Sequence, residues 1–122
     1  KYLLVLHSGA PRDILDNYRI KFNIYKIYGF VAEEDNDRFS GKVLHNYGYN
    51  KNLKVEEICK EMGKKPKIAF GDSVSDFEML SKAEKSIIVC ENRKHPKFKA
   101  DGTIEHNMSS VEVRRLLLQV LS

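Results

Sequence analysis

No hydrophobic run in the sequence exceeds the five residues Tyr2-Leu3-Leu4-Val5-Leu6, far short of the roughly 20 needed to cross a bilayer. The basic, apolar and small-residue succession of a signal peptide is missing as well. A cytoplasmic setting with no membrane role is therefore expected. Cysteine is scarce: Cys59 and Cys90 stand alone, with no C-x-x-C spacing and no histidine placed to complete a zinc site, so both read as reduced core thiols. Clustered positive charge is missing too. Lys and Arg outnumber Asp and Glu by 21 to 17, but they are dispersed along the chain, which excludes a nucleic-acid interface. A locally positive crevice that attracts a phosphorylated small molecule remains compatible with that balance. Internal repeats and low-complexity segments do not occur.

What is present suits one α/β domain across residues 1–122, since 42% hydrophobic residues supply a sizeable core. Tyr2–Leu6 reads as a strand buried on both faces, ending at His7-Ser8-Gly9. Pro11 then suits a first helical turn, and Ile14, Leu15, Tyr18 and Phe22 recur at roughly helical spacing. Residues 25–49 have poor periodicity and read as a short strand or hairpin-like excursion, within which Asp35 to Gly41 looks like a polar loop. Val55, Ile58, Cys59 and Met62 mark a helix that begins near Lys51 and stops at Gly63. Strands follow at Lys67–Phe70, Ser86–Cys90 and Thr103-Ile104, with a polar loop over residues 91–99. A last helix is capped by Ser109-x-x-Glu112 and carries Val113, Leu116, Leu117, Val120 and Leu121 on its apolar face. Strands alternating with helices predict a parallel sheet covered on both sides.

The most informative stretch is Ile68-Ala69-Phe70-Gly71-Asp72-Ser73-Val74-Ser75-Asp76. It reads as strand, tight turn and helix, with the helix starting near Ser75 because Ser75-x-x-Glu78 has capping-box spacing, and with Phe77, Leu80 and Ala83 on its buried side. Asp72 and Asp76 are expected to face one crevice, where two carboxylates repel unless a cation lies between them. A hard divalent ion, Mg²⁺ first, fits those oxygen donors. Ligands of open α/β sheets bind beyond the carboxyl ends of the strands, where Ser8, Gly9 and the two acids map and where Lys51 can reach. A hydroxyl, a backbone amide and an ammonium group suit phosphoryl oxygens, and carboxylates can hold Mg²⁺ against them. Singly, each residue has a plainer reading: Ser8 as a helix cap, Lys51 as a solvated lysine, and the two acids as decoration of a helix start. His7, His45, His95 and His106 are scattered and take no role.

Ser8-Gly9 after a strand, a lysine at a helix start, and Gly71-Asp72-Ser73-x-x-Asp76-x-x-Met79, in that order, resemble motifs two to four of the haloacid dehalogenase-like (HAD) hydrolases. The similarity to their phosphoserine phosphatase-like branch spans nearly the whole chain. Phe39-Ser40-Gly41-Lys42-Val43 stands where those enzymes have a short hairpin, and His95 to Asp101 resembles their K-P-x-L-K-x-x-A-D stretch. The resemblance implies a three-layer, Rossmann-like sheet and a Mg²⁺-dependent phosphomonoester hydrolase acting on a phosphorylated small-molecule substrate. It assigns Ser8 to the phosphoryl group, Lys51 (with Lys54 as the alternative) to charge compensation, Asp72 to the metal, and Asp76 to assisting the ion or orienting Lys51.

The family's first motif, D-x-D-x-T/V, carries the aspartate nucleophile and precedes the serine motif, but residues 1–122 do not contain it there. Asp35-Asn36-Asp37 follows Ser8 and lacks the Thr or Val. The sheet is thus expected to be incomplete, and the chain to be the C-terminal portion of a larger enzyme or one half of a two-chain assembly. An upstream segment or a second chain would then supply the nucleophile through which an aspartyl-phosphate forms. The alternative is a non-catalytic phosphate-binding or regulatory α/β module of the same fold.

Overall fold

The computed structural model describes residues 2–46, 51–90 and 98–122. Its backbone forms two compact units, Lys1–Lys51 and Asn52–Ser122.

The first unit is a sheet ordered β1-β2-β3, built from β1 (Val5–Pro11), β2 (Lys26–Asp35) and β3 (Arg38–His45). β1 and β2 are parallel, and the helices α1 (Arg12–Leu15) and α2 (Tyr18–Phe22) connect them. The strand expected over Tyr2–Leu6 starts later and runs further. Tyr2, Leu3 and Leu4 are exposed, and β1 carries Ser8 and Gly9 within a stretch whose register shifts between His7 and Pro11. The expected helix is likewise broken at Asp16 and Asn17, so Leu15 is buried while Ile14, Tyr18 and Phe22 face solvent. Asn23 ends α2 in the left-handed region, φ 50°, a conformation that its short polar side chain tolerates. Leu15, Ile24 and Ile27 form the core of this unit, with Leu6 and Ala10 packed against it.

β2 and β3 form an antiparallel hairpin. Asp35 pairs with Arg38, and the two residues between them, Asn36 and Asp37, have φ of 49° and 62°. Positive φ at both central positions is the type I′ geometry that matches strand twist. The Arg38–Gly41 segment, read from sequence as loop, is therefore strand.

The second unit is a parallel sheet ordered β4-β5-β6, made of β4 (Ile68–Gly71), β5 (Lys85–Cys90) and β6 (Gly102–Glu105). β5 is central, which explains its continuous apolar run: strands paired on both edges and covered on both faces need it. Ile88 and Cys90 join a core with Val55 of α3 (Lys51–Met62) and Met79 and Leu80 of α4 (Phe77–Lys82). Ile87, fully buried, serves the opposite face. A Cβ on Gly102 would lie 2.8 Å from Ile87 Cδ1 and 3.1 Å from Val120 Cγ2, so α5 (Ser110–Leu121) packs closely there. This unit thus has three layers, with α5 on one side of the sheet and α3 and α4 on the other. The chain is α/β with parallel ladders, as its alternating elements predict.

Several polar contacts fix these elements. Gly63, φ +66°, ends α3, and the Lys64 amide donates to Cys59 O, closing a Schellman turn. Ser109 Oγ accepts from the Glu112 amide at 3.2 Å and caps α5. Lys82 Nζ lies 2.8 Å from Glu56 Oε1, tying α4 to α3, and this contact lowers the Glu56 pKa while raising that of Lys82. Both groups are solvent-exposed, so the pair adds little to stability. Asp101 accepts from the amide and hydroxyl of buried Ser86, at 2.8 and 3.3 Å, and its own amide donates to Ser86 O. The Ser86 amide is the main reason the Asp101 carboxyl titrates below its ordinary range. Phe98 stacks on Phe77 with ring centroids 4.9 Å apart, while residues 91–97, with His95, Pro96 and Lys97 of the stretch noted above, lie outside the described residues.

Candidate active site

β4 delivers the chain to Gly71, and the turn that follows is shaped by one side chain. Asp76 is only 2% exposed, and its Oδ2 accepts from the Asp72 amide at 3.0 Å, the Ser73 amide at 3.2 Å and the Ser73 hydroxyl at 3.2 Å. These contacts satisfy donors at the strand-to-helix junction that would otherwise need water. The space for this carboxylate comes from Gly71, because a Cβ there would meet Asp76 Cβ at 2.6 Å and Oδ2 at 3.1 Å. Glycine is required here for room.

The helix start differs from the expectation. Ser73 takes the cap position, Val74–Asp76 form a 3₁₀ turn, and α4 begins at Phe77. Ser75 instead shares a 2.7 Å hydroxyl contact with Ser73. The functional residue missed from sequence is thus Ser73, whose signal was the Ser73-x-x-Asp76 spacing, an acidic variant of the capping box. Met79 and Leu80, both buried, anchor α4 and hold the turn against the core.

Asp72, in contrast, is exposed at the carboxyl end of β4. The two acids that sequence brings together are close in the structure but unlike: one carboxylate is turned inward to the backbone, and the other is open to solvent. Mg²⁺ is commonly held by one or two carboxylates together with water and phosphate oxygens, and Asp72 fits that role. Among the described residues no cluster of three His, Cys, Asp or Glu forms a fuller metal cage.

Ser8, Gly9 and Lys51 belong to the first unit. Ser8 Oγ accepts from the Ala10 amide at 3.1 Å, inside the irregular part of β1, and Gly9 is exposed beside it. Lys51 is the first residue of α3, as the spacing of that helix predicts.

A sequence profile of the haloacid dehalogenase-like hydrolases matches residues 36–111, more than half of the chain. The chain belongs to this family. The match spans Lys51, Asp72 and Asp76 but not Ser8 or Gly9. Solved structures agree on the fold. An apo phosphoserine phosphatase superposes with a TM-score of 0.71 at 21% identity, covering 98% of this chain and 59% of the other. A substrate-bound phosphoserine phosphatase complex gives 0.71 at 22% identity, covering 98% of this chain and 56% of that one. A phospho-aspartyl intermediate analogue of phosphoserine phosphatase gives 0.69 at 21% identity, with the same two coverages of 98% and 56%. The chain therefore spans less than three-fifths of the length of these phosphatases. No curated protein matches it significantly. The HAD hydrolase is thus phosphoserine phosphatase-like in fold, and among its described residues no helix is long and apolar enough to cross a membrane.

Proposed function

We propose that the full-length protein is a Mg²⁺-dependent phosphomonoester hydrolase acting on a small phosphorylated metabolite. The observation that carries this reading is the Gly71–Asp76 turn, in which one carboxylate is spent on shaping the backbone and leaves Asp72 exposed at a strand's carboxyl end in a HAD hydrolase. When bound, Mg²⁺ would offset negative charge on phosphoryl oxygens and orient them. Asp72 is its protein ligand, and Asp76 assists by fixing the Asp72 backbone. Ser8 and the Gly9 amide donate hydrogen bonds to phosphoryl oxygens, while the Lys51 ammonium compensates their charge.

The aspartate nucleophile belongs to a segment outside these 122 residues, upstream or on a second chain. The placement of Asp35-Asn36-Asp37 supports that assignment, because these residues make the tight turn of the β2–β3 hairpin. Cys59 and Cys90 are free thiols, which suits a reducing cytoplasmic compartment.

The test is hydrolysis of a generic phosphate ester by the full-length protein with and without Mg²⁺. Activity that requires Mg²⁺ and collapses in Asp72→Asn is expected. A fully active Asp72→Asn protein would refute the metal assignment, and complete inactivity of the wild type towards a broad set of phosphate esters would favour the binding module.

A further inference from the structure

The hydroxyl groups of the Gly71–Asp76 turn form a chain with a direction. Asp76 Oδ2 accepts from the Asp72 amide at 3.0 Å, the Ser73 amide at 3.2 Å and the Ser73 hydroxyl at 3.2 Å. Donors converging on one carboxylate oxygen favour its charged form, which accepts and cannot donate. The single proton of Ser73 is therefore directed at Asp76, since a hydrogen bond to a charged acceptor is about twice as strong as one between neutral groups. Ser75 Oγ lies 2.7 Å from Ser73 Oγ, an ordinary hydroxyl hydrogen bond for which Ser73 has no proton left. Ser75 is the donor there.

That direction decides what the turn shows to solvent. A serine hydroxyl carries one proton and two lone pairs, and with its proton turned towards Ser73 the exposed Ser75 offers lone pairs alone. Such a group repels a phosphoryl oxygen and attracts a donor. Ser8 has the opposite polarity, because its Oγ accepts from the Ala10 amide at 3.1 Å and keeps its proton for a phosphoryl oxygen. The acidic turn thus presents two exposed acceptors, the Asp72 carboxylate and Ser75 Oγ. Both residues are tied to the same oxygen of Asp76, Asp72 through its amide and Ser75 through the Ser73 hydroxyl.

We propose that Ser75 is a positioning residue whose hydroxyl accepts a hydrogen bond from a water molecule in the Mg²⁺ hydration shell. The inference rests on the assignment of Asp72 to the metal. Mg²⁺ sheds water reluctantly, and a site with one or two carboxylates leaves it several waters. A dication makes its waters stronger donors, and acceptors around the ion orient them. Asp76 Oδ2 is already taken up by backbone and Ser73 donors, so Ser75 Oγ supplies the further acceptor on this turn. Asp72 provides the charge that holds the ion, and Ser75 fixes how its hydration shell is turned.

The test is binding of Mn²⁺, a paramagnetic stand-in for Mg²⁺, to the full-length protein without substrate, read from the electron paramagnetic resonance signal of the free ion. Ser75→Ala is expected to weaken Mn²⁺ binding by about 3- to 10-fold, the range of one lost hydrogen bond. Ser75→Thr, which keeps the hydroxyl, restores it. In the metal-free protein the Asp72 and Ser73 amides exchange at wild-type rates in Ser75→Ala, because their acceptor is Asp76. Unchanged Mn²⁺ affinity in Ser75→Ala, with affinity lost in Asp72→Asn, would overturn the role of Ser75 and leave the hydrolase reading standing. Wild-type affinity in Asp72→Asn would overturn the metal assignment and this inference with it. Weaker binding in Ser75→Ala accompanied by faster exchange of the Asp72 or Ser73 amide would overturn the inference as well, since the hydroxyl would then act on the backbone alone.

Discussion

Asp76 Oδ2 lies 3.0 Å from the amide of Asp72 and accepts its hydrogen. The two acids of one motif therefore divide the work, one holding the backbone still and the other left open to solvent. Substituting them separates the roles. Asp72→Asn is expected to lower Mg²⁺-dependent hydrolysis by at least about 100-fold, since metal charge stabilisation is worth several kcal/mol, with little change in melting temperature. Asp76→Ala is expected to lose activity and also about 1–3 kcal/mol of stability, because it strands donors at a buried junction. Parallel activity assays and thermal melts check the split, and equal stability loss in both variants would abolish it.

Gly71→Ala tests the same turn from the other side. The added methyl would sit 2.6 Å from Asp76 Cβ, a contact relieved only by moving the backbone or the carboxylate. A cost of about 1–3 kcal/mol is expected by analogy with overpacked cores, accompanied by reduced activity. Denaturant unfolding of the two proteins measures it.

The hairpin turn offers a substitution that should help. Asp37 holds φ 62°, a conformation glycine adopts at less cost, and Asn-Gly is the favoured pair for this turn. Asp37→Gly is expected to raise stability by up to about 1 kcal/mol and to leave hydrolysis untouched. Loss of activity in a stable Asp37→Gly protein would return the D-x-D to candidacy as a catalytic element.

Acid sensitivity should report on Asp101. Its carboxyl is held below the ordinary value of 3.8, chiefly by the Ser86 amide, so the folded state favours the charged form. That stabilisation is complete above the ordinary value and is lost as pH falls through the depressed one. Asp101→Asn is expected to melt lower than wild type at neutral pH, with the gap narrowing below about pH 4. A gap that stays constant between neutral pH and about pH 2 would remove Asp101 from the acid response.

How much of this was legible in the sequence depended on burial. β5 and α5 were readable because Ile87, Ile88 and Cys90 are buried on a central strand and the Ser109–Glu112 box is local. β3 was legible only as part of a hairpin-like excursion, with Arg38–Gly41 read as loop, since all eight of its residues are exposed and no alternation between faces marks it as strand. Tyr2, Leu3 and Leu4 misled in the opposite sense: an apolar run reads as buried strand, yet these three are exposed. The Ile14–Phe22 spacing fits a helical face, but Asp16 and Asn17 interrupt it and tertiary packing rewards Leu15 alone among its four apolar residues. At the site, spacing places Asp72 and Asp76 on one turn, and the structure has them there, but the inward turn of the Asp76 carboxylate onto the Asp72 and Ser73 amides was not legible, because it depends on the room that Gly71 leaves.

β4 is the outermost strand of its sheet, with β5 as its partner on one side. Among the described residues its other margin pairs with no strand of that sheet, and the acidic turn hangs from the end of this row of amides and carbonyls. The rigidity with which Asp72 is presented is therefore adjustable from the side: a strand laid along β4 would slow amide exchange there and stiffen the turn, without touching either carboxylate.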